Sequence, residues 1–285
     1  MTDDPFLPSA SSAVNPPDFL AIGHVARDLV GDRAVPGGAV TYASHTARAL
    51  GLTAAIVTSA RPGDLEPMPG VAAHVIPSPA TTTFRNIYRE GRRIQTIEAV
   101  AGPIAPGDVS AGWRDAPHVL IGPLAGEIDP AVARLFPGSV VVAALQGWLR
   151  QWDAAGIVTP RSWDGRDVLP YVDAAVVSAE DTADPAAFDR WAELAPVLIV
   201  TLGDRGARLH VDGAWHDIPP FPAREIDPTG AGDVFAAAYA VSLRETRDPV
   251  ESARFASAAA SLSVRGHTTS TIPTRPQIAH PLKAP

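Results

Sequence analysis

Short apolar runs alternate with alanine-rich segments of helical length along most of the chain. The runs are continuous in Val, Ile, Leu and Ala, which is typical of parallel strands that are buried on both faces. Their alternation with helical segments predicts βα units around a mostly parallel sheet. The predicted strands are 19–25, 54–59, 118–122, 139–145, 173–178 and 197–202, and the first predicted helix is 39–50.

Two segments break this pattern. Residues 81–102 alternate polar and apolar positions on both sides of a charged turn, which predicts a two-stranded hairpin with one solvated face. Residues 26–36 supply a further pair of short strands beside it. We therefore expect a small β-sheet, the lid, that projects from the α/β body and covers a crevice. The proline-rich ends, 1–17 and 276–285, are expected to be tails around a single domain of residues 18–275.

Composition narrows the range of functions. A chain of 285 residues with 46% hydrophobic residues can bury a sizeable core. The formal net charge of -8, without a long basic run, argues against nucleic acid as the main partner and favours a small molecule. The absence of cysteine excludes thiolate catalysis and zinc–thiolate sites. The sequence shows neither an export signal nor a membrane-spanning run, so we expect a cytoplasmic protein without a membrane partner.

The stretch EIDPTGAGDVFAAAYAVSL, residues 225–243, predicts a glycine-rich turn that leads into a helix. Gly230 and Gly232 permit a ligand to approach the backbone closely, and the amide groups at the start of a helix attract anions such as phosphate. Asp233 would repel an anion, but it can accept the proton of a hydroxyl group that attacks phosphorus. The stretch therefore indicates a phosphoryl-transfer site. From these residues alone, a tight turn with Asp233 as a helix cap is equally consistent.

Residues 227–233 resemble the C-terminal signature, Asp-Thr-x-Gly-Ala-Gly-Asp, of the PfkB or ribokinase-like family of carbohydrate kinases. Further similarity lies in GGAVTYASHTARALG, VTLGDRGARL, RFASAAASLSV and RGHTTSTIPT, which begin at positions 37, 200, 254 and 265. Within the family, VVVAALQGWLR is similar to inositol kinase-like members. The resemblance implies a ribokinase-like three-layer α/β/α sandwich with a central, mostly parallel sheet and a small β-sheet lid.

The resemblance also implies roles for individual residues. Asp233 is the expected general base, and Gly230, Ala231 and Gly232 are expected to form the anion hole around the transferred phosphoryl group. The expected substrate-binding residues are Asp28, Gly37, Gly38, Tyr42, Phe84, Arg85, Gln146 and Asp233. The expected nucleotide-binding residues are Thr201, Gly203, Gly206, Thr229, Gly230, Gly232, Ser257 and Ala258.

The implied cofactors are ATP and Mg²⁺, with K⁺ as a further ion. The family's Asn-x-x-Glu motif, which supports magnesium through water, is replaced by SAED at 178–181, so Asp181 and Glu180 are the expected ligands through water. Relatives that are activated by potassium imply a site at Asp227, Thr229, Gly266 and Ser270. Tyr42 replaces an asparagine of the family pattern, which alters an expected sugar contact. His24 and His45 lack a second metal-type ligand at suitable spacing and are interpreted as packing or hydrogen-bonding residues.

The leading hypothesis is an ATP-dependent kinase that transfers the γ-phosphoryl group to a hydroxyl of a polyol, either myo-inositol or a sugar. One alternative is a nucleoside kinase of the same fold, in which Phe84 and Tyr42 would contact the base. Another is a non-catalytic, ligand-sensing member, which the altered SAED motif favours. A dinucleotide-dependent oxidoreductase is disfavoured because no G-x-G-x-x-G segment follows the first strand. The family also implies a homodimer formed through the lid.

Overall fold

The structure is a computed structural model that describes residues 15–30, 33–89 and 92–282. Its strands are β1 Phe19–Ile22, β2 Ala26–Val30, β3 Arg33–Gly37, β4 Ala54–Ala60, β5 Val71–Pro77, β6 Thr82–Arg89, β7 Arg92–Ala99, β8 His118–Ile121, β9 Val140–Ala144, β10 Arg150–Trp152, β11 Val158–Pro160, β12 Ala174–Ser178, β13 Val197–Thr201, β14 Ala207–Val211 and β15 Ala214–Ile218. Its helices are α1 Ala39–Ala49, α2 Ala187–Ala192, α3 Ala231–Thr246, α4 Pro249–Ser263 and α5 Arg275–Leu282. Within these ranges, no helix combines the length and apolarity needed to cross a membrane.

Nine strands form the central sheet, in the order β15-β14-β13-β12-β9-β8-β1-β4-β5. The pairs from β12 to β5 are parallel, as are β12 and β13, while β14 and β15 add antiparallel strands at one edge. All six predicted strands are present, because their apolar runs are buried on both faces of this sheet. The chain places β4 on one side of β1 and β8 on the other, and such a reversal opens a crevice at the carboxyl ends of the strands.

The two faces of the sheet are covered unequally. Helices α1, α3, α4 and α5 pack on one face, where Ala236, Ala237 and Ala238 let α3 lie close to the strands. The other face is covered by the short helix α2 and by irregular segments with 3-10 turns, whose buried aromatic side chains fill the space that longer helices would occupy. The buried or packed aromatic residues of this layer are Trp113, Phe136, Trp148, Trp163, Phe188 and Trp191.

The expected lid is a four-stranded sheet in the order β3-β2-β6-β7. Strands β2 and β6 are parallel, and the two outer pairs are antiparallel. One edge of the lid is engaged by the hairpin of β10 and β11, because Ile97 donates its N–H to the carbonyl of Gly156 at 2.8 Å and Thr96 pairs with Ile157. The turn of the hairpin in β6 and β7, at residues 90 and 91, lies outside the described residues.

The C-terminal end differs from the expected tail. Residues 275–282 form helix α5, and Ile278 is fully buried in the core beneath α4. Arg275 anchors the start of this helix by donating to the carbonyl of Leu50 at 2.8 Å. A proline-rich composition suggested a tail, but Pro276 stands in the first turn, where a helix tolerates proline. The expected N-terminal tail lies outside the described residues as far as position 14.

Candidate active site

The turn before helix α3 leaves amide groups without an acceptor. Gly230 precedes the helix with φ of 78° and ψ of 0°, in the left-handed region that favours glycine. The N–H groups of Gly232 and Asp233 donate no hydrogen bond within the described part of the chain. Together with the dipole of the 16-residue helix α3, they form a place that attracts an anion.

Ala231 differs from the expected anion hole. Its N–H donates to the carbonyl of Pro228 at 3.2 Å and is therefore already engaged. The bond closes a β-turn over Pro228–Ala231, in which Gly230 occupies the third position with the positive φ of a type II turn. The amides that remain for an anion are those of Gly230, Gly232 and Asp233, which donate no hydrogen bond within the described residues.

Asp233 carries the strongest electrostatic signal of the site. Burial of its carboxyl group raises the pKa of Asp233 to about 7, Arg150 counteracts this rise, and Asp181 and Asp28 reinforce it. The residue as a whole is half-buried, so the desolvated carboxyl lies at the bottom of an opening rather than in a closed core. A base with a pKa close to neutrality combines a usable ionised fraction with high basicity. Because Arg150, Asp181 and Asp28 all act electrostatically on Asp233, these four charged side chains belong to one site.

Arg150, which the expected site residues did not include, is the positive charge of this group. Its Nη1 donates to the carbonyl of Leu124 at 3.3 Å, and its guanidinium lies 5.4 Å from the centre of the Phe84 ring. Arg150 thus connects the body to the lid beside the general-base candidate. The sequence carries a signal for it in QGWLR, since Arg150 stands four residues after Gln146 at the start of β10.

Asp28 lies against the two glycines that connect the lid to α1. A Cβ atom at Gly37 would overlap the Oδ2 atom of Asp28, and one at Gly38 would overlap the carbonyl of His24. Gly38 also has φ of 93°, which disfavours other residues. The structure therefore brings Asp28, Gly37 and Gly38 together, as expected for one face of a substrate pocket, and the glycines are required by close packing.

Tyr42 packs against the signature turn. A Cβ atom at Gly230 would overlap the ring of Tyr42, which is 2% exposed. Burial raises the pKa of Tyr42 above its ordinary value, and the carboxylates of Asp28, Asp227 and Asp233 reinforce this. The side chain at the position of the family's asparagine therefore fixes Gly230 through ring contact.

Strand β6 of the lid contributes one of its two expected residues to this group. Phe84 is buried in a cluster between lid and body with Ala26, Ile97 and Leu124. Arg85 follows Phe84 along β6, so it points to the opposite face of the sheet, and its Nε donates to Glu98 at 2.6 Å. The structure brings Phe84, but not Arg85, to the side of Asp28. Phe84 and Tyr42 are already packed against other parts of the protein, which disfavours both as contacts for a nucleobase.

Gln146 and Asp181 are joined at the carboxyl ends of β9 and β12. Gln146 Nε2 donates to Asp181 Oδ1 at 3.0 Å, and the N–H of Ser178 donates to Asp181 Oδ2 at 3.0 Å. Each carboxylate oxygen keeps a further lone pair, so Asp181 can still accept a bond from metal-bound water. Glu180 is exposed beside it. Within the described ranges, no three or more His, Asp or Glu side chains are grouped to hold a metal ion directly.

The expected nucleotide residues divide into exposed and buried members. Thr201 ends β13, and the turn at Gly203–Arg205 is open on the surface. Gly206 cannot carry a side chain, because a Cβ atom would overlap the carbonyl of Ile218. On α4, Ser257 donates to the carbonyl of Pro219 at 3.3 Å and Ala258 is fully buried. The structure thus does not bring Ala258 to the surface of a groove.

Asp227 joins the signature turn to the closing loop. Its Oδ1 accepts from the N–H of Thr229 at 3.0 Å, and its Oδ2 accepts from the N–H of Thr268 at 3.3 Å. Burial acts to raise the pKa of Asp227, but these hydrogen bonds outweigh it and lower the pKa below its usual value. Gly266 and Ser270 lie in the same loop, where Ser270 donates to the carbonyl of His267 at 2.6 Å. The four residues expected for potassium are therefore neighbours.

Solved structures of known proteins share the fold of this chain. A pyrophosphate-dependent kinase of the ribokinase family, solved with a pyrophosphate analogue and myo-inositol, matches with a TM-score of 0.75 and 22% identity over 92% of this chain and 98% of that chain. The ribokinase of Arabidopsis thaliana, solved with ribose and ATP, matches with a TM-score of 0.68 and 20% identity over 95% of this chain and 100% of that chain. The protein has the ribokinase fold, which confirms the predicted sandwich and lid.

Sequence comparisons add similarity to particular kinases. Residues 161–275 match the pfkB family carbohydrate kinases. The inositol 3-kinase of Zea mays is 34% identical over 166 residues, which are 54% of this chain and 40% of that enzyme. The ribokinase of Bacillus subtilis (strain 168) is 48% identical over 67 residues, which are 24% of this chain and 23% of that enzyme. The chain spans less than half the length of these two relatives.

Proposed function

We propose that the protein is a kinase that transfers the γ-phosphoryl group of ATP to a hydroxyl of a polyol, myo-inositol or a sugar. The observation that carries this proposal is Asp233, a carboxyl group with a pKa of about 7 beside free amides at a helix start. A base and an anion site at one point match the needs of phosphoryl transfer to an alcohol. The similarity to an inositol 3-kinase and to a ribokinase favours a polyol acceptor over a nucleoside.

On the acceptor side, Asp233 takes the proton of the attacking hydroxyl while the hydroxyl oxygen forms a bond to the γ-phosphorus. The bond between that phosphorus and the bridging oxygen breaks, and ADP leaves. Asp28 faces the same pocket and can accept hydrogen bonds from two neighbouring hydroxyls, one at each oxygen. Tyr42, Phe84 and Gln146 complete the pocket wall, with the hydroxyl of Tyr42 and the amide of Gln146 as polar contacts.

On the donor side, the N–H groups of Gly232 and Asp233 stabilise charge on the transferring phosphoryl group. The open turn after Thr201, with Gly203 and Gly206, would lie along the remaining phosphates of ATP. Asp181, supported by Glu180, would hold Mg²⁺ through water, and the ion when bound neutralises charge on the phosphates. Potassium would bind at the loop that Asp227 fixes, where it would steady the signature turn.

The proposal includes a cytoplasmic location and a homodimer formed through the lid. Strand β3 is the lid edge that would carry such a contact, because β7 at the opposite edge already bonds to Gly156 and pairs with Ile157. Pro36 in β3 removes one backbone donor from that edge. A dimer through β3 would therefore depend on side-chain contacts more than on a continuous ladder.

A coupled ADP-release assay tests the proposal directly. Myo-inositol, ribose, fructose and several nucleosides serve as acceptors, with ATP as donor. Pyrophosphate is a second donor with phosphate release as the readout, since a pyrophosphate-dependent kinase shares the fold. We expect turnover with a polyol and ATP, and a loss of ~10²–10⁴ in kcat for Asp233→Asn. Asp217→Asn, at an exposed carboxylate of β15, is the control and should keep full activity.

Three results would contradict the proposal. Near-normal turnover by Asp233→Asn would exclude this carboxyl group as the base. Turnover confined to nucleosides would assign the acceptor pocket to another class of substrate, and turnover confined to pyrophosphate would replace the proposed donor.

A further inference from the structure

The chain crosses between body and lid at four places, and His24 contacts all of them. The crossings are 23–25, 37–38, 78–82 and 99–104. His24 belongs to the first and is fully buried. Its carbonyl lies so close to Gly38, in the second crossing, that a Cβ atom there would overlap it. Its ring reaches the third and fourth crossings through Thr82 and Gly102.

The hydrogen bonds of the ring determine its tautomer. Nε2 lies 2.8 Å from the carbonyl oxygen of Gly102, which can only accept, so Nε2 carries the hydrogen. In the neutral ring Nδ1 is then an acceptor and receives the hydroxyl of Thr82 at 2.7 Å. The oxygen of Thr82 in turn accepts the N–H of Ala101 at 3.0 Å. His24 and Thr82 thus form a chain of hydrogen bonds, the relay, that begins at the N–H of Ala101 and ends at the carbonyl of Gly102.

A buried carboxylate fastens this relay to the body. Glu127 accepts the N–H of His24 at 3.1 Å, of Leu124 at 3.0 Å and of Ala125 at 2.8 Å. The loop it organises carries Leu124, whose side chain packs against the lid and whose carbonyl accepts from Arg150. The position of the relay is therefore linked through one loop to the positive charge beside Asp233.

We propose that His24 and Thr82, held by Glu127, are positioning residues that set the orientation of the lid over the acceptor pocket. They touch neither Asp233 nor the free amides, so they act through Asp28 and Phe84, which the lid carries. The prediction for catalysis rests on the proposed function, because it needs an acceptor that the lid covers. The prediction for lid motion does not, since it concerns the free protein.

The test compares Thr82→Val, which keeps the shape and removes the hydroxyl, with Thr82→Ser, which keeps the hydroxyl. Amide hydrogen exchange is measured on the free protein, and KM and kcat are measured for the polyol that gives turnover. In Thr82→Val we expect faster exchange at Ala101 and across β6 and β7. We also expect KM for the acceptor to rise about tenfold, which corresponds to about 1.4 kcal/mol, with a smaller change in kcat. Thr82→Ser should resemble the unaltered protein both in amide hydrogen exchange and in KM and kcat.

Thr46→Val is the matched control for the loss of a buried hydroxyl. Thr46 is 1% exposed, and its hydroxyl donates to the carbonyl of Tyr42 within α1 at 2.8 Å, with no other partner among the described residues. A merely structural role of Thr82 would give both valine variants the same loss of melting temperature and the same KM. That result, or equal lid exchange in Thr82→Val and Thr82→Ser, would overturn the proposal. If no acceptor gives turnover, the proposed function fails and the exchange measurement alone still decides the role of the relay.

His24→Gln and His24→Asn separate the two bonds of the ring. The amide nitrogen of glutamine can take the place of Nε2 and keep the bond to Gly102, and the amide oxygen of asparagine can take the place of Nδ1 and keep the bond to Thr82. We expect faster exchange in β6 for the glutamine variant and in 99–104 for the asparagine variant. Uniform exchange changes in both would contradict separate roles for the two bonds. His45→Asn is the control, since the ring of His45 bonds to Thr41 in its own helix and to no other group in the part of the chain that the structure describes.

Discussion

The ionisation of Asp233 should set the lower pH limit of activity. The reacting form is the carboxylate, which predominates above its pKa of about 7. The rate at low acceptor concentration should therefore rise with pH through about 7 and level off above it. Since Arg150 lowers the pKa of Asp233, Arg150→Met should move this rise to higher pH. The measurement is kcat/KM from pH 5.5 to 9 for both proteins, an interval of about two units or less on each side of neutrality.

Arg208→Met is the control for the loss of one positive charge. Arg208 is in β14, near the far edge of the sheet, and its guanidinium lies over the ring of Trp215 in the edge strand β15. The dependence of kcat/KM on pH in Arg208→Met should coincide with that of the unaltered protein. A rise that stays at the same pH in Arg150→Met would show that Arg150 does not act on Asp233.

Strand β2 holds Asp28 against the bare backbone of Gly37, and this contact should decide acceptor affinity. Gly37→Ala would place a methyl group on the carboxylate and displace it. The loss of hydrogen bonds to a charged group, ~1.5–3 kcal/mol, predicts a rise in KM for the acceptor of roughly tenfold to a hundredfold. KM for ATP should change much less, because Gly37 lies on the acceptor side.

Gly107→Ala is a matched control, since nothing lies within 4 Å of its added methyl group. It should leave both KM values unchanged. An equal rise in the two KM values of Gly37→Ala would indicate general damage to the lid instead of a displaced Asp28. A KM that does not change would exclude Asp28 as an acceptor contact.

The sequence predicted the elements whose burial is uniform and missed those that depend on distant partners. Strand β9 is apolar throughout and β4 is apolar except at Thr58 and Ser59, because both of their faces are covered, so their pattern alone is sufficient. The hairpin of β10 and β11 has only three residues in each strand, and it forms against the lid edge near Ile97. Helix α5 is likewise stabilised by the burial of Ile278 rather than by its own propensity.

The candidate site divides in the same way. Asp233 and Gly230 belong to one short signature, so the turn and the helix start that position them are formed by residues adjacent in the sequence. Glu127 looks like a surface residue in PLAGEID, yet it is 7% exposed and accepts three backbone N–H groups. Its role depends on the N–H of His24, which lies 103 positions away in the chain. No local pattern encodes a partner at that distance.

The ionisation of the buried carboxyl group of Asp233 should lower the free energy of unfolding of the whole protein. The pKa of this group in the folded state, about 7, lies above the ordinary value of 3.8 that applies when the chain is unfolded. Above pH 7 both states are ionised and the folded state alone bears the burial cost. As pH falls below 7 the folded state takes up a proton first, so the cost decreases progressively until the unfolded state is also protonated, below about pH 4. Asp233→Asn should therefore be more stable than the unaltered protein at pH 8, on the order of 1–3 kcal/mol, and similar to it below pH ~4.

Thermal unfolding of both proteins at pH 8 and pH 5 provides the measurement, with Asp217→Asn as the control at an exposed carboxylate. The gain in melting temperature should be larger at pH 8 than at pH 5. A gain that is independent of pH, or larger at pH 5, would contradict a raised pKa at Asp233. Combined with the loss of turnover, a gain would mark a position where activity is retained at the expense of stability.

The aromatic layer on the second face of the sheet has an optical consequence. The rings of Trp148 and Trp163 are stacked at 5.4 Å with an angle of 6° between their planes. Two indoles this close and this nearly parallel share their excited states, and the asymmetric surroundings turn that coupling into a paired signal in ultraviolet circular dichroism. Trp148 stands two residues after Gln146, which bonds to Asp181. The protein thus contains an unlabelled spectroscopic reporter next to its candidate acceptor pocket.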